Sequence, residues 1–139
     1  MMHCLRSLIV ICFLLLSACS TTTSETISVE TVDLAQLPPT VDVATVASIK
    51  DQADVLVLDV REIDEYTAGH IPGVTHIPMN DVPARLQEIP TDKTVILTCR
   101  SGNRSAQVTS FLEGQGYTRV HNMQGGILAW QEAGYSVER

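Results

Sequence analysis

The stretch "TVILTCRSGNRSAQ", residues 94–107, joins two patterns of different period. "TVILTC" is a short apolar and β-branched run, as expected of a parallel strand covered on both faces. "RSAQVTSFLEGQG", residues 104–116, has helical spacing, with Val108, Phe111 and Leu112 on the inward face and Gly114 and Gly116 at the end. A strand that turns straight into a helix is half of a β-α-β unit. Cys99 lies at the turn, followed by two arginines, a glycine and small polar residues. It is either a buried structural thiol or a nucleophile in an anion-binding loop.

The same alternation runs outward from this stretch. "VATVASIKDQA" (43–53) reads as a helix with Val43, Val46, Ala47 and Ile49 sharing a face. "DVLVLDV" (54–60) is an almost continuous apolar strand. "EIDEYTAG" (62–69) is a short helix, "VTHIPM" (74–79) a short strand, and "DVPARLQEI" (81–89) a short helix with Pro83 in its first turn. "TRVHNM" (118–123) and "GGILAWQEAG" (125–134) supply a last strand and helix. Alternating strands and helices predict an α/β class with a small parallel sheet and right-handed crossovers. Sites in such sheets form beyond the carboxyl ends of the strands, which is where Cys99 lies.

The ends of the chain differ from this middle. "SLIVICFLLLSAC", residues 7–19, is an apolar run preceded by Arg6, the only charged side chain before Glu25. It has the length of a signal-peptide h-region and falls short of the roughly 20 residues of a membrane span. Its end, Leu16-Ser17-Ala18-Cys19, resembles the lipobox of bacterial lipoproteins. That resemblance implies a signal peptide over 1–18, a diacylglyceryl group on the Cys19 sulfur and acylation of its amine, such as palmitate. Two or more chains make a stable membrane anchor. Ser20, which is not Asp, favours outer-membrane sorting if the envelope has two membranes, with the domain facing the periplasm or exterior. Residues 20–40, rich in Ser and Thr, without a base and ending near Pro38-Pro39, read with Cys19 as a flexible tether, the alternative being that part of the segment, "ISVETVDL" (27–34), packs on the domain. A coil of that length spans roughly 25 Å. The domain proper is expected over 41–139.

Beyond residue 19 the chain carries sixteen acids against eight bases. No basic patch of useful size speaks for nucleic acid. Loss of the leader removes Cys4 and Cys12, and lipidation occupies Cys19. Cys99 is then the only free thiol, in a compartment where disulfides form, and such an odd cysteine points to reactivity. No Cys or His spacing suggests zinc, and a copper site from Met79, Met123 and the histidines has only composition behind it.

The loop "CRSGNRS" (99–105) suits an ionised thiol. Helix N-termini carry unpaired N–H groups and a positive partial charge. Gly102 permits positive φ and Asn103 tolerates it, so the loop can curl into an anion nest around the sulfur. Arg100 and Arg104 add two cations. Together these effects lower the thiol pKa from its usual value of about 8.5. The same cradle suits a dianionic substrate, because a thiolate approaching an anion needs a strongly cationic site.

Three blocks resemble the single-domain rhodanese (thiosulfate sulfurtransferase) family: "VLVLDVREIDEYTAGHIPGVTHIPM" (55–79), "VILTCRSGNRSAQVTSFLEGQGY" (95–117) and "VHNMQGGILAWQEAGYSV" (120–137). The resemblance implies a three-layer fold, with helices on both faces of a small parallel sheet. It also implies sulfur transfer through a persulfide on Cys99, cradled by Arg100, Ser101, Gly102, Asn103 and Arg104, with no cofactor. The acceptor is cyanide in the assay or a cellular thiol. Arg104 follows as C-x4-R, whereas phosphatases and arsenate reductases of this fold have C-x5-R; the shorter loop favours sulfur. The alternatives are a persulfide carrier in a sulfur relay and a non-catalytic interaction module.

Other residues are read more plainly. Asp59 is placed to brace the active loop and Arg61 to reach the substrate, the alternative being a structural ion pair of Arg61 with Glu65 or Asp64. His70 is expected to be structural, and His76 and His121 have no spacing partner. Met123 lines the pocket mouth or packs in the core. Trp130 is expected in the core.

Overall fold

The computed structural model describes residues 32–139. The expected signal peptide, Cys19 and residues 20–31 of the expected tether lie outside the described residues. Five strands form one sheet in the order β1-β5-β4-β2-β3, and every neighbouring pair is parallel. They are β1 (Thr40–Val41), β2 (Val55–Asp59), β3 (Thr75–His76), β4 (Thr94–Thr98) and β5 (Val120–Met123). The helices are α1 (Val43–Ile49), α2 (Ile63–Ala68), α3 (Asn103–Gly114) and α4 (Gly126–Glu132).

The central strands explain the two-sided core. Successive side chains of a strand point to opposite faces. Leu58, Val95 and Leu97 pack on one side with Val108 and Leu112 of α3. Val55, Val57 and Ile96 pack on the other with Val46 and Ile49 of α1 and Ile127 and Trp130 of α4. The continuous apolar runs in β2 and β4 are therefore two alternating sets, one per layer. Met123 is fully buried in the second set, so it belongs to the core and not to a pocket mouth. Trp130 is buried there too, and its indole N–H donates to the Ser136 carbonyl at 2.9 Å.

Two expectations are corrected. The segment 81–89 is not a short α-helix: it forms two 3-10 turns, Met79–Ala84 and Leu86–Glu88. Pro83 inside the first has no N–H to donate, which removes one bond of an α-helical ladder. Residues 32–40 are not a flexible tether either. Thr40 and Val41 pair with Asn122 and Met123. The Asn122 N–H donates to the Pro39 carbonyl at 2.9 Å, and Val32, Leu34 and Leu37 pack against the core. Asp33 caps a 3-10 turn, Leu34–Gln36, by accepting from the Ala35 N–H at 2.9 Å. The packed part of the chain thus begins well before residue 41, where the composition places it.

Candidate active site

Cys99 follows directly on β4, and α3 begins at Asn103. Residues 100–102 make the whole turn between them. Gly102 occupies the left-handed region at φ 94°, and a Cβ there would lie 3.2 Å from the Gly125 nitrogen. Glycine meets both demands without strain.

A second contact fixes the loop from below. The Ile127 N–H donates to the Cys99 carbonyl at 2.9 Å, and the Leu128 N–H donates to the Arg100 carbonyl at 3.1 Å. These two carbonyls are thereby held at the start of α4. Gly126 lies so close beneath them that an added Cβ would overlap the Cys99 and Arg100 carbonyls. The "QGG" turn is therefore part of the loop's support, although it is remote from the loop in sequence.

The sulfur itself is almost closed off, at 1% exposure for Cys99. The Gly102 N–H donates to Sγ at 3.1 Å, and the Ser105 hydroxyl lies 3.4 Å from it. Burial alone pushes the thiol up. Hydrogen bonding from the Ser105 hydroxyl and from the Ser105, Ser101 and Gly102 N–H groups outweighs burial, and holds Cys99 below the ordinary thiol range. The loop thus favours thiolate by donated hydrogen bonds, with no arginine nitrogen bonded to Sγ among the described residues.

Ser105 and Asn122 were not legible as site residues. Ser105 is fully buried, and its hydroxyl lies 2.6 Å from Asn122 Oδ1 and 3.1 Å from the Gly102 carbonyl. One hydroxyl proton serves three acceptors, so ionisation of Cys99 gives it a charged partner to turn toward. One signal was available: Ser105 lies on the helical face of Val108 and Leu112, where a buried polar side chain calls for a reason.

The arginines part company. Arg100 is exposed and makes no ion pair among the described residues. Arg104 instead meets Glu65 of α2 in a bidentate pair, Nη1 to Oε2 at 2.6 Å and Nη2 to Oε1 at 2.8 Å. The Arg104 guanidinium in turn holds the Glu65 carboxyl below the usual range. Ser101 and Asn103 expose their side chains and contribute to the loop through their backbone. The expectation of two free cations in the loop is corrected, because α2 brings a carboxylate to Arg104 and leaves only Arg100 unpaired among the described residues.

Asp59 and Arg61 form a buried ion pair, Nη2 to Oδ2 at 2.7 Å with Nε also bonded to both carboxylate oxygens. The remaining guanidinium N–H groups donate to the Glu65 and Gly69 carbonyls at 3.1 and 2.9 Å. The pair ties β2 to the middle of α2 and to the residue that closes it, Gly69. Asp64 and the Glu65 carboxylate are not its partners. His76 Nε2 lies 2.7 Å from the Arg61 carbonyl, and Tyr66 stacks between His70 and His76 at 3.9 and 4.2 Å. These histidines pack; none touches Cys99. His121 is held by the Pro38 carbonyl, 2.7 Å from Nδ1.

A groove of about 230 Å³ runs beside the loop, with Arg61, Glu65, Gly69 and Arg100 on its polar side and Ile127 and Leu128 on its apolar side. Among the described residues, no three His, Cys, Asp or Glu side chains cluster as metal ligands.

The sequence model of the rhodanese-like domain matches residues 42–133. A sulfurtransferase of Allochromatium vinosum is 44% identical over 89 residues, 64% of this chain and 83% of that protein. A thiosulfate sulfurtransferase of Pseudoalteromonas translucida is 36% identical over 101 residues, 71% of this chain and 95% of that protein. Among solved structures, a rhodanese-related protein of Thermoplasma volcanium superposes with a TM-score of 0.66 at 31% identity, covering 73% of this chain and 98% of that one. A thiosulfate sulfurtransferase of Pseudomonas aeruginosa gives 0.67 at 28% identity, covering 73% of this chain and 20% of that one.

Proposed function

Since the chain belongs to the rhodanese-like domain family, with named sulfurtransferases among its relatives, we propose that it moves sulfane sulfur from a small anionic donor such as thiosulfate to a thiophilic acceptor. Cys99 carries the sulfur as a persulfide. The observation behind this reading is the set of donors around Sγ: a thiol held below its ordinary pKa by Gly102 and Ser105 is a nucleophile without an attached base.

In the first step the Cys99 thiolate attacks the outer sulfur of the donor. A new S–S bond forms, the donor's own S–S bond breaks, and sulfite leaves with the electron pair. The persulfide's terminal sulfur then takes up the charge that the loop N–H groups are arranged to receive. In the second step cyanide, or a thiolate, attacks that terminal sulfur and the Cys99 thiolate leaves. No net proton transfer is required in either step, and no cofactor enters.

Sulfite release from thiosulfate, and thiocyanate formation on adding cyanide, test the reading. Both are expected from the native chain and neither from Cys99→Ser. Release of sulfite with only slow thiocyanate formation would identify a persulfide carrier with a dedicated acceptor. Equal release from the native and Cys99→Ser proteins would refute the assignment.

The membrane anchor is proposed on sequence alone. The apolar run and Leu16-Ser17-Ala18-Cys19 support lipid attachment at Cys19. Replacing Cys19 by Ser is expected to move the protein from the membrane fraction to the soluble one.

A further inference from the structure

Resting on the proposed sulfur transfer, we infer that Glu65 sets the charge preference of the donor site, by pairing with Arg104 and leaving Arg100 as its single uncompensated cation, so that donors of lower negative charge are favoured over dianions.

Three arginines lie around the loop, and two are matched. Arg61 is paired with Asp59 inside the domain. Arg104 is paired with Glu65 through both carboxylate oxygens, with about a third of each side chain exposed. A bidentate guanidinium–carboxylate contact fixes orientation as well as charge. Glu62, next to the start of α2, adds a further negative charge that acts on Arg104 through space. The groove beside the loop has the same balance, with Glu65 facing it together with Arg100. A donor entering the groove meets Arg100 as the arginine without an ion-pair partner among the described residues, while Arg104 is shared between Glu65 and the Cys99 thiolate. Each additional negative charge on the donor is opposed by the Cys99 thiolate and by Glu65.

The test compares two donors with the same chemistry and different charge. Thiosulfate is a dianion and leaves as sulfite. Methanethiosulfonate is a monoanion of similar shape and leaves as methanesulfinate. In both cases the thiolate attacks the terminal sulfur, one S–S bond forms and one S–S bond breaks. The readout is the ratio of second-order loading rates of Cys99, thiosulfate over methanethiosulfonate, by intact mass. Fraction of thiolate and small losses of loop order affect both rates and cancel in the ratio.

Glu65→Gln and Glu65→Ala are expected to raise the ratio about five- to tenfold, the size expected for one charge a few ångströms away in a partly screened site. Glu65→Asp keeps a carboxylate and is expected to return the ratio toward the native value. Arg100→Gln is expected to lower it at least fivefold, a measurement that stands even where the Glu65 variants fail to fold. An unchanged ratio in folded Glu65→Gln, or in Arg100→Gln, overturns the inference. Failure of the native chain to load from either donor would instead remove the sulfur-transfer reading beneath it.

Discussion

The Ser105 hydroxyl lies 3.4 Å from Sγ of Cys99 and 2.6 Å from Oδ1 of Asn122. The buried polar residue of α3 thereby links the loop thiol to strand β5. It is one of the groups that hold Cys99 below the usual thiol range against the opposing effect of burial. Replacing Ser105 by Ala removes a hydrogen bond to the charged form. Such bonds are worth about 1.5 kcal/mol or more, so the thiol of the variant is expected to ionise about one pH unit higher. Iodoacetamide reactivity against pH measures this; an unchanged profile would show that Ser105 does not stabilise the thiolate.

The same lowered pKa makes stability depend on pH. The folded protein ionises Cys99 at a lower pH than the unfolded chain does. The thiolate's contribution is therefore fully present above the unfolded value of about 8.5, and is lost as pH falls through the folded value. Cys99→Ser lacks it. The native protein is expected to gain stability relative to Cys99→Ser as pH rises through that window. The gain is about 1.4 kcal/mol for each pH unit that separates the folded from the unfolded value. Urea midpoints of the two proteins, followed by the sole tryptophan, Trp130, read the difference. A pH-independent gap would mean the thiol is not perturbed by folding.

The Asp59–Arg61 pair predicts a structural phenotype. Asp59 has no exposed surface and its partner's guanidinium also holds two carbonyls of the α2 region. Removing Asp59 leaves a buried charge without its partner, which typically costs about 3–5 kcal/mol. That is a large share of the stability of a small domain. Asp59→Ala is expected to lower the urea midpoint accordingly. A change within experimental error would show that the pair is not a fastening of β2 to α2.

Gly126 predicts a long-range effect on the loop. A methyl group there meets the Cys99 and Arg100 carbonyls, and the backbone has φ 58°. Gly126→Ala is expected to cost about 3 kcal/mol and to slow Cys99 alkylation, because the two carbonyls lose their N–H partners on α4. Unaltered stability and alkylation would contradict the support assigned to this turn.

These predictions divide along what the sequence could reveal. β2 and β4 were legible because both are apolar on both faces, and the glycine-bearing loop between β4 and α3 followed from their spacing. β1 was not. It is two residues long, follows Pro38-Pro39, and gains its place only from pairing with Asn122 and Met123. The 3-10 turns over 79–88 were hidden by a composition that fits a helix equally well. At the site, Cys99 and its loop could be named because they are contiguous. Glu65 and Arg104 are 39 residues apart, and Ser105 and Asn122 are 17 apart. Such pairings exist only once α2, α3 and β5 are brought to one end of the sheet. The expectation of a strongly cationic loop erred for this reason: counting arginines in sequence does not count the carboxylates that folding delivers to them.

The central claim is that Cys99 accepts a sulfur atom, and intact mass of the purified chain before and after exposure to thiosulfate tests it most directly. The account predicts a gain of one sulfur atom, located on the peptide containing Cys99, removed by cyanide and absent in Cys99→Ser. No gain of mass under conditions where Cys99 is shown by alkylation to be ionised would contradict it.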